Sequence, residues 1–598
     1  MENGPTTGTT PSTVKSNSIA DCLGKLETDP RAALADLQAL LGQSPNDPRL
    51  LRASAKTHRK LGETVPAQKA EIAAIHNSGS VPILAQAAKQ MDAQEFGEAS
   101  RILAEYLPQE PEDLAALTLS AEAGIAMGVS HKVLPLLEQV LTRAPSFLRA
   151  RILYANALML SDRLTDALRI VEPIAARRPD DAEVVNLLSR IRSDLGDYAG
   201  ATKANEELAR IDLESPEAIT NLGDSLRFDG KRKQAIAAYR RAIAQDAYHG
   251  RAWWSLADLD ARALTEKDVS QIIEGLEQRG DQPEHAGNLH FALGIAYDAK
   301  GSAEQAFRQF ADGNRLRRSA QPYDAQIITS QVDRYLGALS DSPKPSDHSV
   351  DPSDPTPIFV LGMPRAGSTL VERMLGRHSN IEALGELSIV PHMVDRVRND
   401  SGEDKLEQTI AGLSEAALAS MGQWYIARAA ERMKSKSAFF VDKLHMNWRH
   451  LPLILRMLPQ ARIIDIRRGA MDCCWSNFKT LFARGHPAAS DLSDIGHFYG
   501  DYVRQTDTLS QRYPGRIHLQ HYEKLVGSIG EEAEAMFSAL AIPFEPQVLE
   551  FHLSQDPVAT ASSEQVRKPL NRDGIEAWKA YEPWLGPLRD ALGDLASV

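Results

Sequence analysis

The fold is decided by residues 357–387, which read PIFVLGMPRAGSTLVERMLGRHSNIEALGEL. The apolar run Ile358–Leu361 predicts a short, buried β-strand. A turn with two glycines follows, and from Ser368 onward apolar residues recur at helical spacing. A strand, a glycine turn and a helix N-terminus in this order place backbone N–H groups around a phosphate. The stretch therefore predicts a phosphate-binding loop in an α/β domain.

The loop differs from the ATP-binding motif Gly-x₄-Gly-Lys-[Ser/Thr] at the lysine position. Ser368 stands there, and the positive charge is carried by Arg365 within the turn. The difference argues against a nucleoside triphosphatase and favours a different phosphate-bearing donor. A nucleotide kinase or triphosphatase that uses the same loop stays open as an alternative.

The segment PRAGSTL, residues 364–370, resembles the 5′-phosphosulfate loop of sulfotransferases, which use 3′-phosphoadenosine 5′-phosphosulfate (PAPS) as sulfuryl donor. The spacing from this loop to Gly385-Glu386-Leu387 makes the chain from roughly 355 to 598 similar to protein-tyrosine sulfotransferases. It looks most like that branch and its bacterial relatives fused to tetratricopeptide (TPR) repeats. The resemblance implies a PAPS-dependent sulfotransferase that acts on an acceptor hydroxyl.

Length and composition set the class of protein. A chain of 598 residues should hold more than one domain, because single cores rarely exceed roughly 250–300 residues. Hydrophobic content of 43% and charged content of 25% are typical of soluble globular proteins. The net charge of −13 disfavours nonspecific binding to nucleic acid or to anionic membranes. We therefore expect neither as a partner.

The cysteines and the N-terminus indicate a cytoplasmic protein. Cys22, Cys473 and Cys474 are the three cysteines, and their spacing suits neither a disulfide framework nor a zinc site. The first residues lack the apolar segment of a secretory signal, and no run of 18 or more apolar residues occurs. Residues 1–18, rich in Ser, Thr and Gly, are predicted to be a disordered tail.

Residues 19–340 are predicted to form a TPR helical repeat array. Small or branched apolar residues recur every 34 residues, the period of that helix–turn–helix repeat, at Ala99, Val133, Ala167, Ala201 and Ala235. Stacked helix pairs share one core and offer a concave face, which we expect to hold a peptide or protein. A proline-rich linker is predicted at 341–357, and the sulfotransferase-like domain at 358–598.

The second half alternates short apolar runs with helical patterns, which predicts a P-loop-like α/β domain with a parallel sheet. Four of the runs end at or shortly before residues that could bind a ligand or take part in a reaction, namely Arg365, Asp442-Lys443, Arg467-Arg468 and His521-Tyr522. Ligands of such sheets bind at the carboxyl ends of the strands. Arg365, Lys443, Arg468 and Tyr522 are therefore expected to converge on one edge.

The loop is expected to hold the donor's 5′-phosphosulfate. The N–H groups expected around it are those of Ala366, Gly367, Ser368, Thr369 and Leu370. Arg365 is placed to neutralise charge as the sulfuryl group leaves. The alternative is a surface arginine in a tight turn.

Arg468 and Ser476 are predicted to grip one phosphate from two sides, because an arginine at a strand end and a hydroxyl on the next helix face each other. The resemblance assigns this pair to the 3′-phosphate of the donor. Gly469 stands where the family usually has Asp or Asn. Arg467 is the rival phosphate ligand, and helix capping is the plainer interpretation.

Glu386 lies 21 residues after Arg365, where the resembling enzymes have their general base. A phenol or alcohol that attacks sulfur must lose its proton, so a base is needed. A structural ion pair is the alternative role for this glutamate. The resemblance also implies that Lys443 contacts the transferring sulfuryl group. No metal is required by this scheme, since cationic side chains neutralise the charge.

The segment SSEQVRKPLNRDGIEAWKAYEPWL, residues 562–585, resembles a C-terminal signature of the family. The resemblance implies that Ser562 lies near the scissile sulfate and that Lys568 contacts the donor. It also places Tyr522 against adenine, although ordinary packing is the alternative for an aromatic.

The acceptor is the most open question. The resemblance favours a tyrosine of a peptide or protein, and a carbohydrate or small phenol is the alternative. A non-catalytic TPR adaptor with a nucleotide-binding domain is the second alternative for the whole chain.

Overall fold

The structure is a computed structural model. It describes residues 18–340, 351, 353–402, 405–482, 486–554, 566 and 570–597, and of Ser340 only the backbone. The predicted tail, residues 1–18, lies outside this set except for Ser18, and so does most of the predicted linker, residues 341–357. The chain divides into two compact units, one ending at Arg177 and the other beginning at Arg178.

The first unit consists, in its described part, of helices that pair in antiparallel fashion. Adjacent helices such as the third and fourth pack side by side, as the repeat period predicts. The helices are α1 (Ile19–Gly24), α2 (Pro30–Gln43), α3 (Pro48–Lys60), α4 (Thr64–His76), α5 (Pro82–Asp92), α6 (Phe96–Tyr106), α7 (Leu114–Ala126), α8 (Ser130–Arg143), α9 (Leu148–Leu160) and α10 (Leu164–Arg177). A 3₁₀ turn at Ser78–Ser80 links α4 and α5.

A buried carboxylate ties several repeats of the first unit together. Glu71 on α4 is 1% exposed, and its Oε1 accepts hydrogen bonds from Arg143 Nη2 at 2.6 Å and from Arg59 Nη1. Burying a charge is costly unless it is paired and hydrogen-bonded. Two arginines from different helices meet that requirement, so this pair of ion bridges fixes the spacing of α3, α4 and α8.

The second unit begins with further repeat helices. They are α11 (Ala182–Asp194), α12 (Tyr198–Ile211), α13 (Pro216–Phe228), α14 (Arg232–Gln245), α15 (Gly250–Leu259), α16 (Glu266–Arg279), α17 (Pro283–Ala299), α18 (Ala303–Ala320) and α19 (Ala325–Ser340), with a 3₁₀ turn at Ala261–Ala263. Gly223 on α13 faces Tyr239 on α14. A Cβ at Gly223 would lie 2.3 Å from Tyr239 Cε1, so glycine is required for this close helix contact. The predicted repeat architecture is confirmed.

The sheet that follows is fully parallel, with the order β2-β3-β1-β4-β5. Its strands are β1 (Thr356–Gly362), β2 (Ile381–Ala383), β3 (Phe439–Asp442), β4 (Arg462–Arg467) and β5 (Ile517–His521). The predicted parallel sheet and four of its strands are confirmed. The sequence missed β2, because a three-residue edge strand has no apolar run. β1 is longer than predicted and begins at Thr356, within the segment predicted as linker.

Helices cover both faces of the sheet. They are α20 (Ser368–Gly376), α21 (Ile389–Ser401), α22 (Leu406–Ala411), α23 (Glu415–Ala430), α24 (Leu451–Met457), α25 (Ala470–Phe478), α26 (Leu492–Arg512), α27 (Tyr522–Gly527), α28 (Ile529–Ala539) and α29 (Gly586–Leu592). The 3₁₀ segments are His445–His450, Pro487–Ser490, Pro546–Leu553, Ala577–Trp584 and Gly593–Ser597. No helix in the described ranges is long and apolar enough to cross a membrane.

The last repeat helices dock directly on the α/β domain, a point that the sequence left open. Phe307 on α18 stacks on Trp475 and Trp584, with ring centroids 6.0 and 5.5 Å apart. Arg334 on α19 donates to the buried carboxylate of Glu407 at 2.9 Å. An aromatic stack and an ion pair between the exposed Arg334 and the buried Glu407 therefore join the repeats of the second unit to the sheet domain.

Gly223→Ala should destabilise the protein by about 1–3 kcal/mol, because the added methyl must displace the buried Tyr239 ring. Gly337→Ala is the matched control. Gly337 is also helical, but a Cβ there meets nothing within 4 Å, so this change should stabilise α19 by about 0.5–1 kcal/mol. Thermal unfolding of the full chain measures both. Equal shifts for the two variants would contradict the proposed close contact.

Candidate active site

The loop after β1 is shaped by two residues with left-handed backbone. Arg365 has φ +65° and Gly367 has φ +105°. A Cβ at Gly367 would lie 2.6 Å from Cδ2 of Tyr522, so only glycine allows the loop to approach this ring. The loop then enters α20, whose first residues, Ser368 and Thr369, are buried. The helix N-terminus therefore points at the carboxyl edge of the sheet, where backbone N–H groups favour anions.

The loop is also held by its own hydrogen bonds. Ala366 N donates to Met363 O at 3.2 Å, and Leu370 N donates to Gly367 O at 3.0 Å. Asn477 Nδ2 of α25 donates to Pro364 O at 2.7 Å and pins the turn from outside. The N–H groups of Ala366 and Leu370 therefore already have acceptors within the loop. Of the five predicted phosphate-binding N–H groups, this leaves those of Gly367, Ser368 and Thr369.

Arg365, Ser476 and Arg468 lie together beside this loop. Arg365 Nε donates to Ser476 Oγ at 3.4 Å, and Arg468 Nη1 donates to the Arg365 carbonyl oxygen at 3.1 Å. The Arg468 guanidinium also lies over the Tyr522 ring, 5.6 Å from its centroid, and donates to Gly574 O. Its Nε is buried and has no hydrogen-bond partner in the described part of the chain. A buried, unsatisfied N–H on a cation is suited to an anionic ligand.

Arg467 faces a different set of groups. It pairs with the buried Asp465 at 2.8 Å and with Asp507, donates to Thr506 Oγ1 at 2.8 Å, and lies over the Tyr502 ring. Successive residues of a strand point to opposite faces. Arg467 is therefore occupied in a structural ion-pair cluster, whereas Arg468 is the arginine beside the loop.

Glu386 and Lys443 form an ion pair at the ends of neighbouring strand segments. Lys443 Nζ lies 2.6 Å from Glu386 Oε1 and 3.8 Å from Glu372 Oε2, and the lysine is 1% exposed. Burial alone would lower the pKa of Lys443, but the carboxylates of Glu386 and Glu372 reverse this and raise it. Burial would raise the pKa of Glu386, but the charge of Lys443 outweighs it and lowers that pKa. Both groups are therefore charged at neutral pH.

Asp442 holds this pair in place from the end of β3. Its Oδ1 accepts from the backbone N–H of Leu444 at 3.2 Å and of Leu387 at 3.4 Å, and its Oδ2 accepts from the Tyr425 hydroxyl at 2.9 Å. Burial raises the pKa of Asp442 to about 7, although the three hydrogen bonds oppose the rise. These bonds link the segments that carry Glu386 and Lys443, so Asp442 positions both.

The sequence did not identify Glu372 or His445 as members of the site, and it named Asp442 only as the neighbour of Lys443, without a role. His445 Nδ1 lies 3.9 Å from Glu386 Oε1, and burial lowers the pKa of His445. Glu372 lies on α20, all of whose residues from Ser368 to Leu375 are buried. The sequence signal that could have identified Glu372 is a carboxylate within a helix that is otherwise buried, because unpaired buried charges are rare.

Two predicted residues lie outside the described part of the chain, namely Ser562 and Lys568. Tyr522 is described and packs between Gly367 and Arg468. Cys473 and Cys474 are buried, and burial raises the pKa of the Cys473 thiol to about 12. In the ranges covered by the structure, no cluster of three or more His, Cys, Asp or Glu is arranged to hold a metal ion.

Comparisons with known proteins agree with the two parts of the architecture. Residues 357–546 match the profile of the Sulfotransferase family, and residues 131–191 match a tetratricopeptide repeat profile. An uncharacterized protein of Aquifex aeolicus is 29% identical over 385 residues, which cover 62% of this chain and 49% of that protein. Protein-tyrosine sulfotransferase 1 of Danio rerio is 23% identical over 240 residues, 38% of this chain and 66% of that enzyme.

One similar solved structure is the sulfotransferase domain from the curacin biosynthetic pathway, with 20% identity and a TM-score of 0.30. It matches 41% of this chain and 96% of its own. The chain spans about half the length of the Aquifex protein and just under two thirds of the Danio enzyme. Residues 357–546 form a domain of the sulfotransferase family, and this chain joins it to TPR repeats.

Gly367→Ala should lower the unfolding free energy by about 1–3 kcal/mol, because alanine disfavours a φ of +105° and its methyl group would overlap Tyr522. Tyr522→Ala in the same chain removes the overlap and leaves the backbone strain. The double variant should therefore be more stable than the sum of the single changes predicts, by about 0.5 kcal/mol or more. Strict additivity in denaturant unfolding would show that the two residues do not meet.

Proposed function

We propose that this protein transfers the sulfuryl group of PAPS to an acceptor hydroxyl, with a tyrosine of a peptide or protein as the first candidate. The observation that carries the proposal is one carboxyl edge of the sheet with two charged centres. One centre is the loop with Arg365, Ser476 and Arg468, and the other is the Glu386–Lys443 ion pair. The first suits a donor with two anionic ends, and the second suits an acceptor that must lose a proton.

The donor fits the first centre by charge and by shape. The backbone at Gly367 and Ser368 begins α20, where an anion is stabilised by N–H groups and by the helix dipole. Arg468 carries a buried N–H that lacks a protein acceptor in the described chain, and Ser476 supplies a hydroxyl nearby. We assign the 5′-phosphosulfate to the loop and the 3′-phosphate to Arg468 and Ser476. Tyr522, packed on both, offers its ring to the adenine.

The second centre supplies the proton acceptor. Glu386 is ionised at neutral pH because Lys443 lowers its pKa, so its free oxygen is ready to accept a proton. Lys443 is buried, and because a lysine carries its charge on a flexible stem, its ammonium can follow negative charge from the carboxylate to the sulfuryl oxygens. The family membership of residues 357–546 supports the same assignment.

In the proposed step the acceptor oxygen attacks sulfur in line with the bond to the 5′-phosphate. A new S–O bond to the acceptor forms as the S–O bond to the phosphate breaks, and the bonding pair of the broken bond stays with the phosphate oxygen. The acceptor proton moves to Glu386. Arg365 and Lys443 stabilise the charge on the bridging and sulfuryl oxygens. The products are the sulfated acceptor and 3′,5′-adenosine bisphosphate.

The acceptor class is supported by the repeats. A TPR array offers a concave face that suits an extended peptide. Danio protein-tyrosine sulfotransferase 1 matches part of this chain, which is consistent with a tyrosine acceptor. Because the cysteines in the described chain are unpaired, we also propose that the protein works in a reducing compartment such as the cytoplasm.

The donor is tested by isothermal calorimetry and by transfer of labelled sulfate. The full chain should bind PAPS and release 3′,5′-adenosine bisphosphate while label enters a tyrosine peptide. Binding of ATP in preference to PAPS would favour a kinase or triphosphatase. Tight PAPS binding without transfer to a tyrosine peptide, a sugar or a phenol would instead favour a non-catalytic TPR adaptor with a nucleotide-binding domain.

Glu386→Gln should lower kcat by about 10²-fold or more and leave donor affinity unchanged, because it removes the base but not the loop. Glu382→Gln is the matched control. Glu382 lies on β2 and accepts hydrogen bonds from the backbone N–H groups of Lys434 and Ser435. Its replacement by glutamine should therefore leave kcat near the wild-type value. Steady-state rates with the labelled donor measure both. A fully active Glu386→Gln enzyme would exclude the base role.

The ionisation of Glu386 should also cause no change in the rate between pH 6 and 8. Because Lys443 lowers the pKa of Glu386 below its ordinary value near 4.5, the base form is lost only when the pH falls through that lower pKa. A pH profile of kcat/KM tests this. An acid limb near pH 6.5 that vanishes in Glu386→Gln would mean that its pKa is raised instead.

Arg468→Ala should weaken donor binding about tenfold or more, because the 3′-phosphate loses a charged hydrogen-bond donor. Arg462→Ala is the control, since Arg462 lies at the amino end of the same strand and stacks on Phe439. Calorimetry with 3′,5′-adenosine bisphosphate compares the two. Equal affinities would remove Arg468 from the donor site.

A further inference from the structure

The helix α25 is held on one side by the phosphate-binding loop. Ser476 Oγ accepts a hydrogen bond from Arg365 Nε at 3.4 Å, and Asn477 Nδ2 donates to Pro364 O at 2.7 Å. Every residue of α25 is buried, so its other faces are covered by protein as well. The position of this helix sets how far the Ser476 hydroxyl lies from the loop, and with it the span available to the donor.

One stripe of the repeat helix α18 covers another side of α25. The stripe consists of residues spaced three and four apart, which share one face of a helix, namely Phe307, Phe310, Asn314 and Arg317. Phe307 stacks on Phe478 and Trp475 with ring centroids 6.2 and 6.0 Å apart. Phe310 meets Trp475 edge-on at 6.2 Å. The repeats therefore supply part of the apolar surroundings of the helix that carries Ser476.

Asn314 joins this stripe to the backbone of α25. Its Nδ2 donates to the carbonyl oxygen of Phe478, the last residue of α25, at 2.7 Å, and Asn314 is 1% exposed. The last four carbonyl groups of an α-helix lack partners within the helix, and Asn314 supplies one such partner from the repeats. Arg317, one turn further along α18, donates from Nη2 to Phe482 O at 3.1 Å. The two bonds fix the end of α25 and the chain that follows it.

Asp298 gives the same region a second attachment to the repeats. It lies near the end of α17, and its carboxylate accepts hydrogen bonds from Lys479 Nζ at 3.0 Å and from the Tyr581 hydroxyl at 2.5 Å. Lys479 directly follows α25, and the Tyr581 ring packs on Trp475 with centroids 4.3 Å apart. Asp298 therefore attaches the repeats to α25 through the next residue of the chain and through a ring that packs on the helix.

We propose that α17 and α18 belong to the donor site, with Asn314 and Asp298 as positioning residues. They set α25 so that Ser476 lies within reach of the 3′-phosphate while the loop holds the 5′-phosphosulfate. The inference rests on the proposed binding of PAPS. A displacement of about 1 Å in a binding group can cost about 10²-fold in rate, and a helix fixed from the loop side alone would leave Ser476 free to shift. The repeats are then required for donor affinity as well as for binding a partner.

Asn314→Leu should weaken the binding of 3′,5′-adenosine bisphosphate about fivefold or more, because α25 loses the bond that fixes its end. Gln309→Leu is the matched control. Gln309 lies on the same helix and bonds His290 within the repeats, so its loss should leave the affinity unaltered. Calorimetry of the full chain measures both. An Asn314→Leu chain that binds as tightly as the wild type would overturn the proposal.

The stability of Asn314→Leu is a poorer measure than its affinity. Leucine also removes the buried Oδ1 of Asn314, which has no hydrogen-bond partner among the residues that the structure describes, so the lost bond to Phe478 O is partly offset. In calorimetry the stoichiometry reports the folded fraction, whereas Kd reports the site of the folded molecules. A changed stoichiometry with an unchanged Kd would therefore show a purely structural role and count against the proposal.

A double variant tests whether Asn314 acts through Ser476. Once Ser476→Ala has removed the hydroxyl, Asn314→Leu should cost little further affinity. The two changes together should therefore weaken binding by less than the product of the two single factors. A full product, as for independent sites, would contradict the positioning role.

Asp298→Asn should raise KM for PAPS about threefold and leave kcat unchanged, because the ion pair with Lys479 is lost while the loop and the proposed base stay in place. The Asp298 side chain is 36% exposed, so this variant should fold even if Asn314→Leu does not. Glu266→Gln is the control, since Glu266 pairs with Lys300 within the repeats. An unchanged KM for PAPS in Asp298→Asn, with or without a lower kcat, would refute its role.

Two further outcomes separate this inference from the proposed function. Equally tight binding of 3′,5′-adenosine bisphosphate by the wild type and all variants would overturn the positioning roles and leave the proposed donor standing. A wild-type chain that binds neither PAPS nor the bisphosphate would overturn both.

Discussion

The burial of Lys443 is the constraint on which the arrangement of the site depends. An ammonium group that is almost fully out of water is stable only with opposite charge close to it. Glu386 at 2.6 Å and Glu372 at 3.8 Å supply that charge from two other segments. The end of β3, the segment before α21 and the helix after the loop must therefore meet at one point. The same pairing keeps Glu386 ionised, so the requirement of stability also produces the chemical state that a base needs.

The parallel sheet converts this local pairing into a site. Its register aligns Phe359 with Asp442 and Arg467 with His521, so that every strand delivers its following residues to one edge. Gly367 then allows the loop to lie against Tyr522, and Arg468 reaches the loop carbonyl from the next strand. The repeats of the second unit reach the same domain through Asp298, which accepts hydrogen bonds from Lys479 and from the Tyr581 hydroxyl.

Much of this architecture was predictable, because its signals are local. The four apolar runs and the glycine turn depend on neighbours within one or two turns of chain, and the 34-residue period depends only on spacing along the chain. The strand β2 was missed because three residues at a sheet edge carry no periodicity. Glu372 was missed because its role depends on a lysine that lies 71 residues later in the chain. The choice between Arg467 and Arg468 likewise depends on Asp507 and Gly574, which no local pattern connects.

The sequence by itself determined the class of each domain, the loop and the residue types available for anion binding, because hydrophobic period and turn chemistry are properties of short segments. Only the tertiary structure decided which charges meet. It paired Lys443 with Glu386 and turned Arg467 away from the loop, into an ion pair with Asp465. The physical reason is that Coulomb energy and desolvation depend on distances across the folded core, and residues far apart in the chain acquire those distances only when the core has formed.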